Sequence, residues 1–125
     1  MALACVTVTA PTLAGLREQR DIAARTADMV ELRLDSVADP DVAGALAGRT
    51  GPVIVTCRAP WEGGHFRGSE EERLRLLRDA WLASAEFVDL EFAAWDRAPW
   101  AAAESRTQAG FRHGRDGRIS SSRTA

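Results

Sequence analysis

Three short stretches of this chain place charged side chains where strands should end. In Met29-Val30-Glu31-Leu32-Arg33-Leu34-Asp35, period-2 alternation sets Glu31, Arg33 and Asp35 on one face of a strand. In Gly51 to Gly68, GPVIVTCRAPWEGGHFRG, a buried strand over Pro52 to Cys57 runs into a loop carrying Arg58, Glu62, Gly63 and Gly64. In Phe87 to Phe92, FVDLEF, Asp89 and Glu91 share one face and Val88 and Leu90 the other. Nothing in a structural core needs an arginine and a glutamate at the exit of a buried strand, whereas a substrate site does. The rival reading is structural: Glu and Arg on neighbouring strands forming buried ion pairs, which are costly to desolvate.

Such residues need a scaffold, and the chain supplies alternating strands and helices. Leu3 to Thr9 is a first strand, with Thr7 and Thr9 toward its end. Pro11 and Thr12 open a helix to about Ala27, with Leu13, Leu16, Ile22 and Ala23 as its apolar stripe. Asp28 to Leu34 is the second strand. Asp39-Pro40-Asp41 starts a short helix with Val42, Leu46 and Ala47 inward and Gly48 near its end. Val53, Ile54 and Val55 are β-branched on both faces, as a parallel strand covered by helices should be. Ser69 and Glu72 have the spacing of a capping box, and Glu70, Glu71 and Glu72 favour the positive end of the helix dipole. Leu74, Leu77, Trp81 and Leu82 carry that helix's core face to about Ala85, ahead of the fourth strand.

Strands alternating with helices call for a parallel sheet with right-handed crossovers. The alternation fits both a doubly wound sheet and a (β/α)8 barrel. Glu31, Arg33, Arg58 and Glu91 at the C-terminal ends of successive strands favour the barrel, whose sites are built there around a common cavity.

Composition excludes several classes of function. With 125 residues, 46% hydrophobic and 27% charged, the chain can make one domain with a core. A net charge of −2 gives no electrostatic case for nucleic acid or an anionic membrane surface. No apolar run reaches a membrane span, and the start lacks the basic segment of a signal peptide, so the expected location is cytoplasmic. All 16 basic residues are arginine, which a GC-rich coding sequence explains, and which leaves no lysine amine for covalent catalysis. Cys5 and Cys57 lie in strands outside any metal-ligand spacing and read as free thiols.

With these residues in view, the chain resembles the type I 3-dehydroquinate dehydratases of the shikimate pathway. The matching stretches are ADMVELRLDSV (27–37), PVIVTCRAPWEGG (52–64) and FVDLEF (87–92), in the order and spacing of the first half of that barrel. The resemblance covers roughly residues 3 to 95 and implies a (β/α)8 barrel represented by about its first four βα units, within residues 1–109. It implies that Glu31, Arg33 and Arg58 line the site for 3-dehydroquinate and that Glu62 orients a catalytic histidine. It makes Asp35, Asp89 and Glu91 supporting residues and gives Thr7 the place of a small hydroxyl on the first strand. It also implies a homodimer, no metal and no organic cofactor.

In this family a lysine forms an imine with the substrate ketone, and a histidine moves protons while water leaves. This chain has no lysine, and His65 and His113 do not match by position. By resemblance, then, the chain is a dehydratase without its catalytic lysine and histidine, inactive alone. A non-catalytic module for a polyol acid and a structural α/β fragment are the alternatives. Ala101 to Ala109 continues as a fourth helix, and 110–125 reads as a polar tail without regular structure. If Ser120, Ser121 and Ser122 are TCN codons, the frame beginning at the third base of Ile119 encodes three apolar residues and then a small one. That matches the family's fifth strand in part, although the histidine does not follow, and suggests a frame lost between about Trp100 and Arg118. Half a barrel leaves open strand edges, so self-association is expected.

Overall fold

The inner strands of the parallel sheet bury their apolar face, and the edge strand Cys5–Val8 buries only Val8. In the computed structural model, which describes residues 4–101 together with strands at 111–113 and 118–122, four parallel strands come first. They are β1 (Cys5–Val8), β2 (Met29–Arg33), β3 (Val53–Thr56) and β4 (Phe87–Glu91). They lie side by side in chain order. The register aligns Thr7 with Glu31, Glu31 with Ile54 and Ile54 with Phe87, and one row on it aligns Val8, Leu32, Val55 and Val88. Period 2 then makes one whole face apolar: Val30, Leu32, Val53, Val55, Val88 and Leu90 join Leu16, Leu74, Leu77 and Trp81 in one core. The opposite face carries Thr7, Glu31, Arg33, Thr56 and Asp89. The α/β alternation and parallel sheet expected from the sequence are present.

The helices start where their caps permit. In α1 (Leu13–Ala24) the Thr12 hydroxyl accepts from the Gly15 amide, and in α2 (Val42–Leu46) the Asp41 carboxylate accepts from Gly44. α3 (Glu70–Leu82) begins with the full capping box of Ser69 and Glu72. Three inward assignments differ from the sequence reading. Ile22 and Leu82 are exposed, and in α2 the inward alanine is Ala45 rather than Ala47. Arg20, one turn beyond Leu16, takes the inner position on α1 because its guanidinium can donate to the Ala45 carbonyl, at 2.7 Å. α1 ends at Ala24, three residues short of the expected limit, with the Ala27 amide still bonded to the Ala23 carbonyl.

Two further strands differ from the expected tail. β6 (Arg118–Ser122) pairs antiparallel with β4, from Phe87 opposite Ser122 to Glu91 opposite Arg118, and β5 (Phe111–His113) pairs with β6. An uncovered β4 edge would expose a row of backbone donors and acceptors, a demand that side-chain polarity in 110–125 does not reveal. The helix expected to reach Ala109 falls, beyond Ala101, outside the described residues. No helix among the described residues is long and apolar enough to cross a membrane.

Candidate functional site

On the face of the sheet opposite the helices, polar residues occur in rows, and their hydrogen bonds run from strand to strand. Glu31, in the middle of β2, accepts from Thr7 Oγ1 on β1 at 2.7 Å and from Thr56 Oγ1 on β3 at 2.8 Å. The two hydroxyls hold one carboxylate oxygen each, so Glu31 presents its remaining acceptor capacity at a fixed orientation. Thr7 therefore does touch the site residue beside it, and Thr56 is a partner that the sequence reading missed.

One row further along, Arg33 bonds Asp35 through Nε at 3.1 Å and Nη2 at 2.7 Å, a bidentate pair. The Asp35 side chain is fully buried while the Arg33 side chain keeps 30% of its surface exposed. Burial alone would raise the Asp35 pKa. The bonds from Arg33 and from the His65 and Arg58 amides outweigh it and hold the carboxyl below its ordinary value. The same pair raises the Arg33 pKa, chiefly through the Asp35 bond. Asp35 thus holds the Arg33 guanidinium in a fixed orientation.

Arg58 lies just past β3, two residues beyond Thr56. Its Nη2 donates to Asp89 at 2.9 Å, and its Nη1 stands 3.5 Å from Glu91. Only 6% of the side chain is exposed, so Arg58 faces the β4 carboxylates more than open solvent. Glu91 is held mainly by Arg73 of α3, whose Nη1 lies 2.8 and 3.1 Å from its two oxygens. Arg73 also donates to the Cys57 carbonyl at 2.8 Å, pairs with Glu70 and lies 5.9 Å from the Trp61 ring centroid. Burial would lower the Arg73 pKa, but Glu70 and Glu91 raise it. The sequence did carry a signal for Arg73: positions 73, 77, 80 and 81 follow the helical period, and the other three are core residues. An arginine at such a position must have buried partners.

Glu62 stands apart from this network. It ends a 3-10 turn (Pro60–Glu62) and is exposed. Gly63 continues the turn at φ +80°, a conformation that favours glycine. At Gly64 the constraint is space: a Cβ would come within 2.0 Å of the Arg58 carbonyl oxygen. The turn therefore closes directly on the backbone of Arg58, helped by the Gly64 amide bonding the Ala59 carbonyl at 2.8 Å. His65 is exposed, and its amide donates to Asp35 at 3.0 Å.

A concavity of about 970 Å³ lies beside this network and not on it. Asp35, Asp41, His65, Arg67, Arg75 and Leu76 are among its walls. Glu31, Arg33, Arg58 and Glu62 do not line it, so it is not the common cavity expected around them. Among the described residues no group of three His, Cys, Asp or Glu side chains could hold a metal ion. Cys57 is buried, and that burial, with the Asp35 charge, pushes its thiol pKa up to about 12.

Four parallel strands in chain order, alternating with helices and carrying polar side chains on one face, define an α/β protein. The family model for type I 3-dehydroquinase matches residues 4–111, and the chain belongs to that family. A 3-dehydroquinate dehydratase of Desulfotalea psychrophila is 38% identical over 87 residues, 70% of this chain and 38% of the relative. One of Methanothrix thermoacetophila is 48% identical over 69 residues, 54% of this chain and 30% of the relative. A bifunctional 3-dehydroquinate dehydratase/shikimate dehydrogenase of Arabidopsis thaliana is 38% identical over 69 residues, 52% of this chain and 11% of the relative. The chain thus spans 30 to 38% of the length of the first two.

Proposed function

We propose that this chain carries the 3-dehydroquinate-binding residues of a dehydratase that forms 3-dehydroshikimate and water, and that alone it binds without turnover. The observation that carries the reading is the strand-to-strand polar network, Thr7–Glu31–Thr56 beside Arg33–Asp35 and Arg58–Asp89, on a chain of this family. Glu31 would accept from ring hydroxyls, while Arg33 and Arg58 would donate to them. Glu62 would orient a histidine through its exposed carboxylate. An imine on a lysine side chain has no source in a sequence without lysine. The four parallel strands would form part of a (β/α)8 barrel, in which this polar face becomes a cavity wall. The outer edge of β1, which no strand among the described residues pairs, supports self-association, which size-exclusion chromatography would register as elution ahead of a monomer.

Calorimetric titration with 3-dehydroquinate tests the reading, alongside an absorbance assay for the enone product. Binding that disappears in Arg58→Ala, with no product formed, is the expected result. Product formation would overturn the claim of incompleteness, and absence of binding would overturn the ligand. A second reading has its own support in the 6% exposure of Arg58: its pair with Asp89 would be structural. On that reading Arg58→Ala lowers stability and the wild-type chain binds nothing.

A further inference from the structure

The buried charges beyond the substrate-facing row divide unequally. Glu91 has two guanidinium neighbours, but its oxygens lie 2.8 and 3.1 Å from Arg73 and 3.5 Å from Arg58. Its charge is therefore largely satisfied from α3, and it leans only weakly on Arg58. Arg58 in turn makes one short side-chain bond, to Asp89 at 2.9 Å. Arg73 itself has no exposed side-chain surface and reaches no ligand. We infer that Arg73 is a positioning residue: by holding Glu91 it keeps that carboxylate from capturing Arg58, and so leaves Arg58 Nη1, which Asp89 does not hold, able to donate to substrate.

The physics is a competition for one buried carboxylate. Glu91 is almost fully buried and cannot be left without a cation. Remove Arg73, and Arg58 is the cation already within 3.5 Å. It would swing from a shared pose, with Asp89 close and Glu91 distant, to a closed pair with Glu91. The Ala59 amide, 3.4 Å from Glu91 Oε2, is too long a bond to replace a guanidinium. Arg73 also bonds the Cys57 carbonyl, so the backbone just before Arg58 is fixed by the same side chain. Glu70 completes the set by balancing the charge of Arg73 on the side away from β4.

The substrate half of this inference rests on the reading proposed above, whereas the pose of Arg58 does not. The test therefore reads both, in the 125-residue chain. Nitrogen-15 spectra of the arginine side chains, with the Arg58 signals assigned by their loss in R58K, report the pose. In R73Q the Arg58 signals should shift and their protons exchange more slowly, and R73Q/E91Q should restore the wild-type pattern. Affinity for 3-dehydroquinate should fall roughly tenfold or more in R73Q and recover in the double variant. An Arg58 spectrum that does not respond to R73Q, or a response that E91Q fails to reverse, overturns the inference. Should R73Q not hold its fold by near-ultraviolet circular dichroism, R73K keeps a charge but loses the fork. A smaller shift of Arg58 in the same direction is then expected, and none would overturn the inference. An Arg58 signal that responds as expected in a chain with no measurable affinity upholds Arg73 and removes the substrate.

Discussion

The two ends of the parallel sheet each join β3 to β4 through an arginine and a glutamate, and they do different work. At the N-terminal end, Arg49 meets Glu86 with 22% and 31% of the side chains exposed. The remaining contacts of this pair are to backbone: Arg49 donates to the Ser84 and Gly51 carbonyls, and Glu86 accepts from the Val53 amide at 3.0 Å. It closes the loops before two strands and ends there. At the C-terminal end Arg58, Arg73, Asp89 and Glu91 are almost wholly buried, and their partners are mostly one another. A clamp needs only to satisfy backbone groups. A charge network that stays buried at the strand ends must hold side-chain orientations, and that is what a binding site requires.

Breaking each end should show the difference. Glu91→Ala removes the β4 carboxylate that buried Arg73 holds and should destabilise the chain by about 3–5 kcal/mol, measured by urea denaturation. Glu86→Ala loses a half-exposed pair and one backbone bond, an expected cost of about 1–2 kcal/mol on the same measurement. Equal losses at the two ends would erase the contrast. The helix that supplies Arg73 to the network depends on its own cap, and Ser69→Ala should cost about 1 kcal/mol.

The smallest effect expected is one of pH, and it belongs to the C-terminal end. Asp35 has its folded pKa held below the ordinary 3.8, so folding favours its ionised form. Its contribution is present above pH 3.8 and is lost as the pH falls through the lower folded value. Urea midpoints taken from pH 6 downward should drop over that acid range, and Arg33→Met should flatten the drop. A slope that Arg33→Met leaves unchanged would show that the pair with Arg33 does not set it.

Much of this was legible from the residue types. Strict alternation in Glu31–Leu32–Arg33 and in Val88–Asp89–Leu90–Glu91 separates an apolar face from a polar one, because a strand turns each side chain by half a revolution. Ser69 and Glu72 announce their capping box, since its geometry is wholly local. The contribution of Arg73 was harder to see. Three glutamates precede it in the first turn, yet its partners Glu91 and the Cys57 carbonyl come from other elements. The antiparallel pairing of 118–122 with β4 was likewise invisible, because it answers an edge and not an apolar pattern.

Residue order alone fixes the alternation of elements, the parallel strands, the polar face and the residues on it. Local periodicity and local capping are enough for that. Tertiary structure alone decided which charge belongs to which: Thr7 and Thr56 to Glu31, Asp35 to Arg33, Asp89 to Arg58, and Glu91 chiefly to Arg73. Pairing of buried ions depends on separations set by strand register and helix packing, and differences of half an ångström choose the partner.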